Sequence, residues 1–124
     1  MTESPWPTEI RLSQDKKSLT IAYESGRTDT LPAEFLRVMS PSAEVQGHSA
    51  AERKTVGGKI SVTIIGVEPV GNYAVRLVFD DMHNTGLYTW RYLAELGAER
   101  EARWSAYLAE LAAKGLSRER PGQK

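Results

Sequence analysis

The sequence predicts an α+β domain: a small, mainly antiparallel β structure of about six short strands, with a short helix after the third strand and helices at the C-terminal end. Three observations lead there. Apolar residues alternate with period two through Leu19, Ile21 and Tyr23, and again through Tyr73, Val75, Leu77 and Phe79. The last third changes period, placing Trp104, Tyr107, Leu108 and Leu111 at i, i+3, i+4 and i+7 on one helical stripe. With 124 residues the chain has the length of one domain built on one core.

The elements follow in order. Glu9-Ile10-Arg11-Leu12 alternates polar and apolar, Ser13 to Lys17 is turn-like, and Leu19 to Tyr23 resumes the alternation. After Ser25-Gly26, Thr28 to Leu31 is a third strand. Pro32 then suits the first turn of a helix, where its missing N–H costs nothing, and Ala33 to Arg37 completes about a turn and a half, with Phe35 and Leu36 as its buried pair. Between Val38 and Lys59 the periodicity stops. A connection of that length without its own structure is uncommon in a small domain, and it reads either as a surface loop or as a binding loop.

Pattern returns at Ser61 to Val67. Val70 to Tyr73 supplies a turn, Tyr73 to Phe79 is the strongest strand, and Asp80 to Asn84 is a polar turn into a strand over Thr85 to Thr89. Trp90 to Leu96 predicts a helix stopped by a left-handed cap at Gly97, and a second helix runs from Ala98 to Gly115. On its polar faces, Glu99 with Arg103 and Glu110 with Lys114 are favourably oriented i, i+4 pairs. Its apolar stripe is read as packed on the sheet, with self-association or partner docking as the other reading. Residues 1–7 and 117–124 read as disordered ends, the latter holding Arg118, Arg120 and Lys124.

Composition narrows the function classes. Sixteen basic residues balance sixteen acidic ones, which supplies no long-range attraction to nucleic acid or anionic lipid. The absence of cysteine excludes thiol nucleophiles, redox pairs and clusters held by this chain's own thiolates. Together with a start that lacks the pattern of a secretory leader, it predicts a soluble, cytoplasmic protein with no membrane partner. Any triad or histidine metal site must use His48 or His83. Gly57-Gly58-Lys59 lacks the spacing of a phosphate loop and has Ile60 where Ser or Thr is needed, so it reads as a turn. One polar constellation remains: Asp80, Asp81 and His83, which His48 and Glu44 could approach if the long loop folds over the hairpin.

The stretches FLRVMSPSAEVQGH (residues 35–48) and IIGVEPVGNYAVRLVFDDMHNTGLYTWRYLAELG (residues 64–97) resemble the gamma-butyrobetaine hydroxylase-like N-terminal domain, over residues 8–97. The resemblance implies a small, mainly β domain of unknown function when it stands alone. In relatives it is fused ahead of an iron- and 2-oxoglutarate-dependent oxygenase domain, and it looks like the module appended to some P-loop iron-sulfur carriers. The hydroxylases hold a structural zinc through C-x-C-x-x-C after a Leu-Arg pair, and through one distant His in an acidic turn. Here Leu36-Arg37 is present, the thiolate positions fall on Ser40, Ser42 and Val45, and the His position on His83. Neutral serine is a poor zinc ligand and valine is none. The resemblance therefore implies a degenerate metal site, with no catalytic residue, cofactor or metal assigned.

The expected function is a non-catalytic binding or accessory module that recognises a protein partner, as a monomer or a homodimer. Its candidate surface comprises Arg37, Glu44, Gln46, His48, Asp80, Asp81, His83 and Trp90. An accessory role in metal or iron-sulfur handling is the second reading, and a small enzyme using the His48/His83 surface is the third.

Overall fold

The computed structural model describes residues 6–41, 55–84 and 86–119. Its first half is a meander of three antiparallel strands, β1 (Pro7–Leu12), β2 (Ser18–Tyr23) and β3 (Thr28–Pro32), in that spatial order. The period-two pattern has its expected consequence, since Leu19, Ile21 and Tyr23 are all buried on one face. Ser13 shapes the first turn: its Oγ accepts from the amides of Lys17 and Ser18 and donates to Asp15.

Helix α1 (Ala33–Val38) follows β3 directly, and Pro32 serves as its N-cap residue. All six of its residues are buried, beyond the expected Phe35 and Leu36, because the helix is inserted under both sheets instead of lying on one. The second sheet is again a meander: β4 (Ile64–Val70), β5 (Ala74–Phe79) and β6 (Leu87–Thr89). One amide bond stitches the sheets together at the first turn, from Ile64 to the Lys16 carbonyl, while the Ala33 amide extends the β2–β3 pairing by bonding the Lys17 carbonyl. Two helices end the fold, α2 (Trp90–Ala98) and α3 (Arg100–Ala113), with Thr89 accepting from the Tyr92 amide as the N-cap of α2. One continuous core joins Leu19, Ile21 and Leu31 of the first sheet to Ile64, Leu77 and Tyr88 of the second, and to helix residues from Phe35 to Leu111.

Several boundaries differ from the sequence expectation. The strand expected over Ser61 to Val67 lies three residues later, because residues 60 and 61 form a turn in which the Val62 amide bonds to the Lys59 carbonyl. It runs through Pro69, which is tolerated because β4 is an edge strand and needs no donor on its free side. Tyr73 does not share the buried face of Val75, Leu77 and Phe79. It belongs to the turn and is half-exposed, against Gly71 in the left-handed region. Gly97 is not a left-handed cap. The helix passes through it to Ala98, and its small size serves packing instead: a Cβ there would collide with Asp29 Oδ2, which is paired with Arg27. The left-handed stop falls at Gly115, with φ of 67°.

The stripe of α3 is real but narrower than the spacing implied. Tyr107 and Leu111 are buried and Trp104 packs edge-on against Phe35, whereas Leu108 is 39% exposed. The Glu99–Arg103 pair forms at 2.8 Å, while Glu110 and Lys114 both bond the Thr55 hydroxyl. Leu111→Ala should therefore cost about 2–4 kcal/mol in urea unfolding, as a buried large-to-small change. Leu108→Ala should cost no more than about 0.5 kcal/mol, and equal losses would contradict this placement of the stripe.

Candidate functional site

The turn between β5 and β6 is built from polar residues that meet the end of α1. Asp81 is the centre. Its Oδ2 accepts from Arg37 Nε at 2.8 Å and from Lys59 Nζ at 2.5 Å, and its Oδ1 accepts from the His83 amide at 3.1 Å. Three segments distant in sequence, α1, the stretch leading into β4 and the β5–β6 turn, are thus tied to one carboxylate. Burial by itself would raise the Asp81 pKa, but the hydrogen bonds from Lys59, from the His83 amide and from Arg37 prevail and hold it down to about 2. Arg37 is nine-tenths buried, and its Nη1 has no hydrogen-bond partner.

A second pair lies behind the first. Ser40 Oγ and His83 Nε2 are hydrogen-bonded at 2.8 Å, with Ser40 fully buried and His83 5% exposed. Gly86 makes room for them, because a Cβ there would lie 2.6 Å from Ser40 Oγ. Two tyrosines complete the shell. Tyr88 donates to the Leu36 carbonyl and Tyr92 to the Met39 carbonyl, each at 2.5 Å, satisfying acceptors that the end of α1 leaves open. Complete burial pushes the Tyr88 phenol far above its ordinary pKa, so it remains a donor.

The structure thus brings Arg37, Ser40, Asp81 and His83 together. Asp80 stands next to them but faces β4, its Oδ1 accepting from the Thr63 amide. Trp90 lies elsewhere, since its amide bonds the Tyr73 carbonyl beside the opposite end of β5, and its indole donates to the Asn72 carbonyl. Ser42, Glu44, Val45, Gln46 and His48 lie outside the described residues. Lys59, Gly86, Tyr88 and Tyr92 belong to the cluster without having been singled out in the sequence. Lys59 carried a signal, as a cation in a Gly-Gly-Lys turn, but nothing in its local context named Asp81 as the partner. Among the described residues no group of three or more His, Cys, Asp or Glu side chains is placed to hold a metal ion. No helix among them is long and apolar enough to cross a membrane.

A family model described as gamma-butyrobetaine hydroxylase-like, N-terminal, matches residues 10–94, which span both sheets, α1 and this cluster. The chain belongs to that family. Among solved structures, an NMR solution structure is 48% identical, with a TM-score of 0.83, and the match covers 98% of this chain and 95% of the other. A second NMR structure is 45% identical, with a TM-score of 0.81, over 97% and 92% of the two chains. A crystal structure of a protein of unknown function in the DUF971 family, from Acidithiobacillus ferrooxidans ATCC 23270, is 41% identical, with a TM-score of 0.62, over 75% of this chain and 93% of that one. No curated protein matches.

The Asp81 pKa has a consequence for stability. Because the folded value lies below the ordinary one of 3.8, ionised Asp81 stabilises the fold above about pH 4, and that contribution is lost as pH falls towards 2. The shift corresponds to about 2 kcal/mol. Unfolding free energies from pH 7 to pH 2 should show this loss in the native chain. Asp81→Asn should remove that portion of the acid dependence and cost at least about 2 kcal/mol at pH 7, since it leaves Arg37 buried beside an uncharged partner.

Proposed function

We propose that this member of the gamma-butyrobetaine hydroxylase-like N-terminal family is a non-catalytic accessory module that binds a protein partner, and that its polar cluster is a metal-free replacement for the family's zinc site. The first and last ligand positions implied by the resemblance, Ser40 and His83, are bonded to each other. A hydroxyl and a single imidazole are a poor ligand set for zinc, while the Asp81 ion pairs tie together the same segments that a metal would. A structural role for Ser40 is supported by its complete burial, which leaves a substrate no approach to its hydroxyl.

The observation that carries the binding reading is Met82. It sits between Asp81 and His83, is 83% exposed, and holds φ at 75°, a left-handed conformation that disfavours residues with a Cβ. The residues on either side are pinned by buried polar contacts, so the turn displays an adaptable apolar side chain from a rigid base. Ile65 of β4 and Leu87 of β6 add exposed apolar surface on the same sheet. Strain kept at an exposed apolar position is what a recognition residue would show, since the fold itself gains nothing from it.

A photo-crosslinking amino acid in place of Met82 should yield one discrete protein adduct in the native cell, absent when the probe replaces Glu24 in the turn between β2 and β3. Met82→Gly should raise stability by about 0.5–1 kcal/mol through relief of the backbone conformation, while abolishing partner capture. Identical adducts from both probe positions, or undiminished capture by the glycine variant, would count against the proposal.

A further inference from the structure

A second surface lies away from the polar cluster, where the end of the chain returns over α1 and α3. After Gly115 the backbone turns back, and residues 116–119 run as a strap. The Gly58 amide donates to the Ser117 carbonyl at 2.8 Å and the Ile60 amide to the Arg118 carbonyl at 3.0 Å. Gly57 is a close-approach position, since a Cβ there would meet the Ser117 carbonyl at 2.8 Å. Arg118 does not fray into solvent, as the sequence reading of residues 117–124 supposed. Its Nε and Nη2 donate to the two carboxylate oxygens of Glu34 at 2.8 and 2.7 Å, and its guanidinium lies 5.2 Å from the centre of the Trp104 ring. Residues 120–124 lie outside the described residues.

These parts have the chemistry of a receptor for arginine. The Glu34 carboxylate is fixed and largely buried, its side chain 8% exposed, and it offers the two-oxygen face that matches a planar guanidinium fork. Trp104 supplies an aromatic face for the same cation, and it is itself braced edge-on by Phe35. Two backbone amides, on Gly58 and Ile60, take the carbonyls of an extended segment. With the strap in place a cavity of about 480 Å³ remains beside it, lined by Pro32, Phe35, Arg100 and Glu101 among others, so the groove is larger than its present occupant.

We infer that this groove is a docking site for an extended, arginine-bearing peptide segment of a protein partner, and that the chain's own Ser117–Glu119 segment occupies it in cis as an autoinhibitory ligand. The charge complementarity of Glu34 and the arginine already seated there identify the occupant. The strap is suited to exchange. It follows a left-handed glycine, and the Arg118 side chain is 40% exposed while the carboxylate it grips is not. A tethered segment competes at a high effective concentration, so an outside peptide binds weakly until the cis arginine is removed. This site is separate from the Met82 turn, and either proposal stands if the other fails.

The test uses the full chain and a labelled peptide copying residues 114–119, followed by fluorescence anisotropy and by NMR shifts of the Gly58 and Ile60 amides and the Trp104 indole. The peptide should bind the Arg118→Ala chain at least about tenfold more tightly than the native chain, shifting those three signals. Replacing the peptide's arginine by lysine should weaken binding about tenfold, through loss of the bidentate fork, and Glu34→Gln in the receptor should abolish it. Should Arg118→Ala fail to fold, Arg118→Lys provides the same comparison with the charge and stem retained. Absence of binding to either variant, affinity indifferent to the peptide's arginine, or shifts confined to other residues would overturn the inference.

Discussion

The Asp81 carboxylate is the contact on which the middle of this fold depends. It sits in the turn between β5 and β6, and it receives Arg37 from α1 and Lys59 from the stretch leading into β4. Among the described residues, α1 is joined to the second sheet by side-chain contacts and not by backbone hydrogen bonds. A buried arginine is costly unless its charge is met at short range. Asp81 meets it, and the cost of leaving Arg37 unpaired becomes the force that holds the turn to the helix.

The cluster also shows how side chains alone can tie distant segments together. Five side chains form two links: the Asp81 carboxylate with the Arg37 and Lys59 cations, and the Ser40 hydroxyl with the His83 imidazole. Each depends on neighbours that remove water. Tyr88 and Tyr92 close the end of α1 against its carbonyls, and Gly86 admits Ser40. The rigidity gained has a visible product in the exposed, left-handed Met82 between two pinned residues.

The C-terminal strap adds a second anchoring of the stretch leading into β4. Gly58 and Ile60 are bonded to the strap on either side of Lys59, whose side chain reaches Asp81. Tyr107 and Glu110 of α3 hold the chain a few residues earlier, through the Val56 carbonyl and the Thr55 hydroxyl. The order of the polar cluster is therefore linked through backbone hydrogen bonds to the seating of Arg118 on Glu34, and the two surfaces share one segment without sharing a residue that binds.

By itself the sequence determined the local periods and therefore the element types. Alternation at Leu19, Ile21, Tyr23 and at Val75, Leu77, Phe79 makes strands with one buried face, and the spacing of Tyr107 and Leu111 makes a helix with one buried stripe. Those are near-neighbour properties, legible because side-chain direction follows the backbone period. The family resemblance also singled out Ser40 and His83. Only the tertiary structure decided that these two touch, that Lys59 and Arg37 share one carboxylate, that Gly97 serves close packing instead of a cap, and that Arg118 returns to Glu34. Each joins residues separated by more than twenty positions, and the energy that selects one partner over another comes from burial, which exists only once the chain has folded.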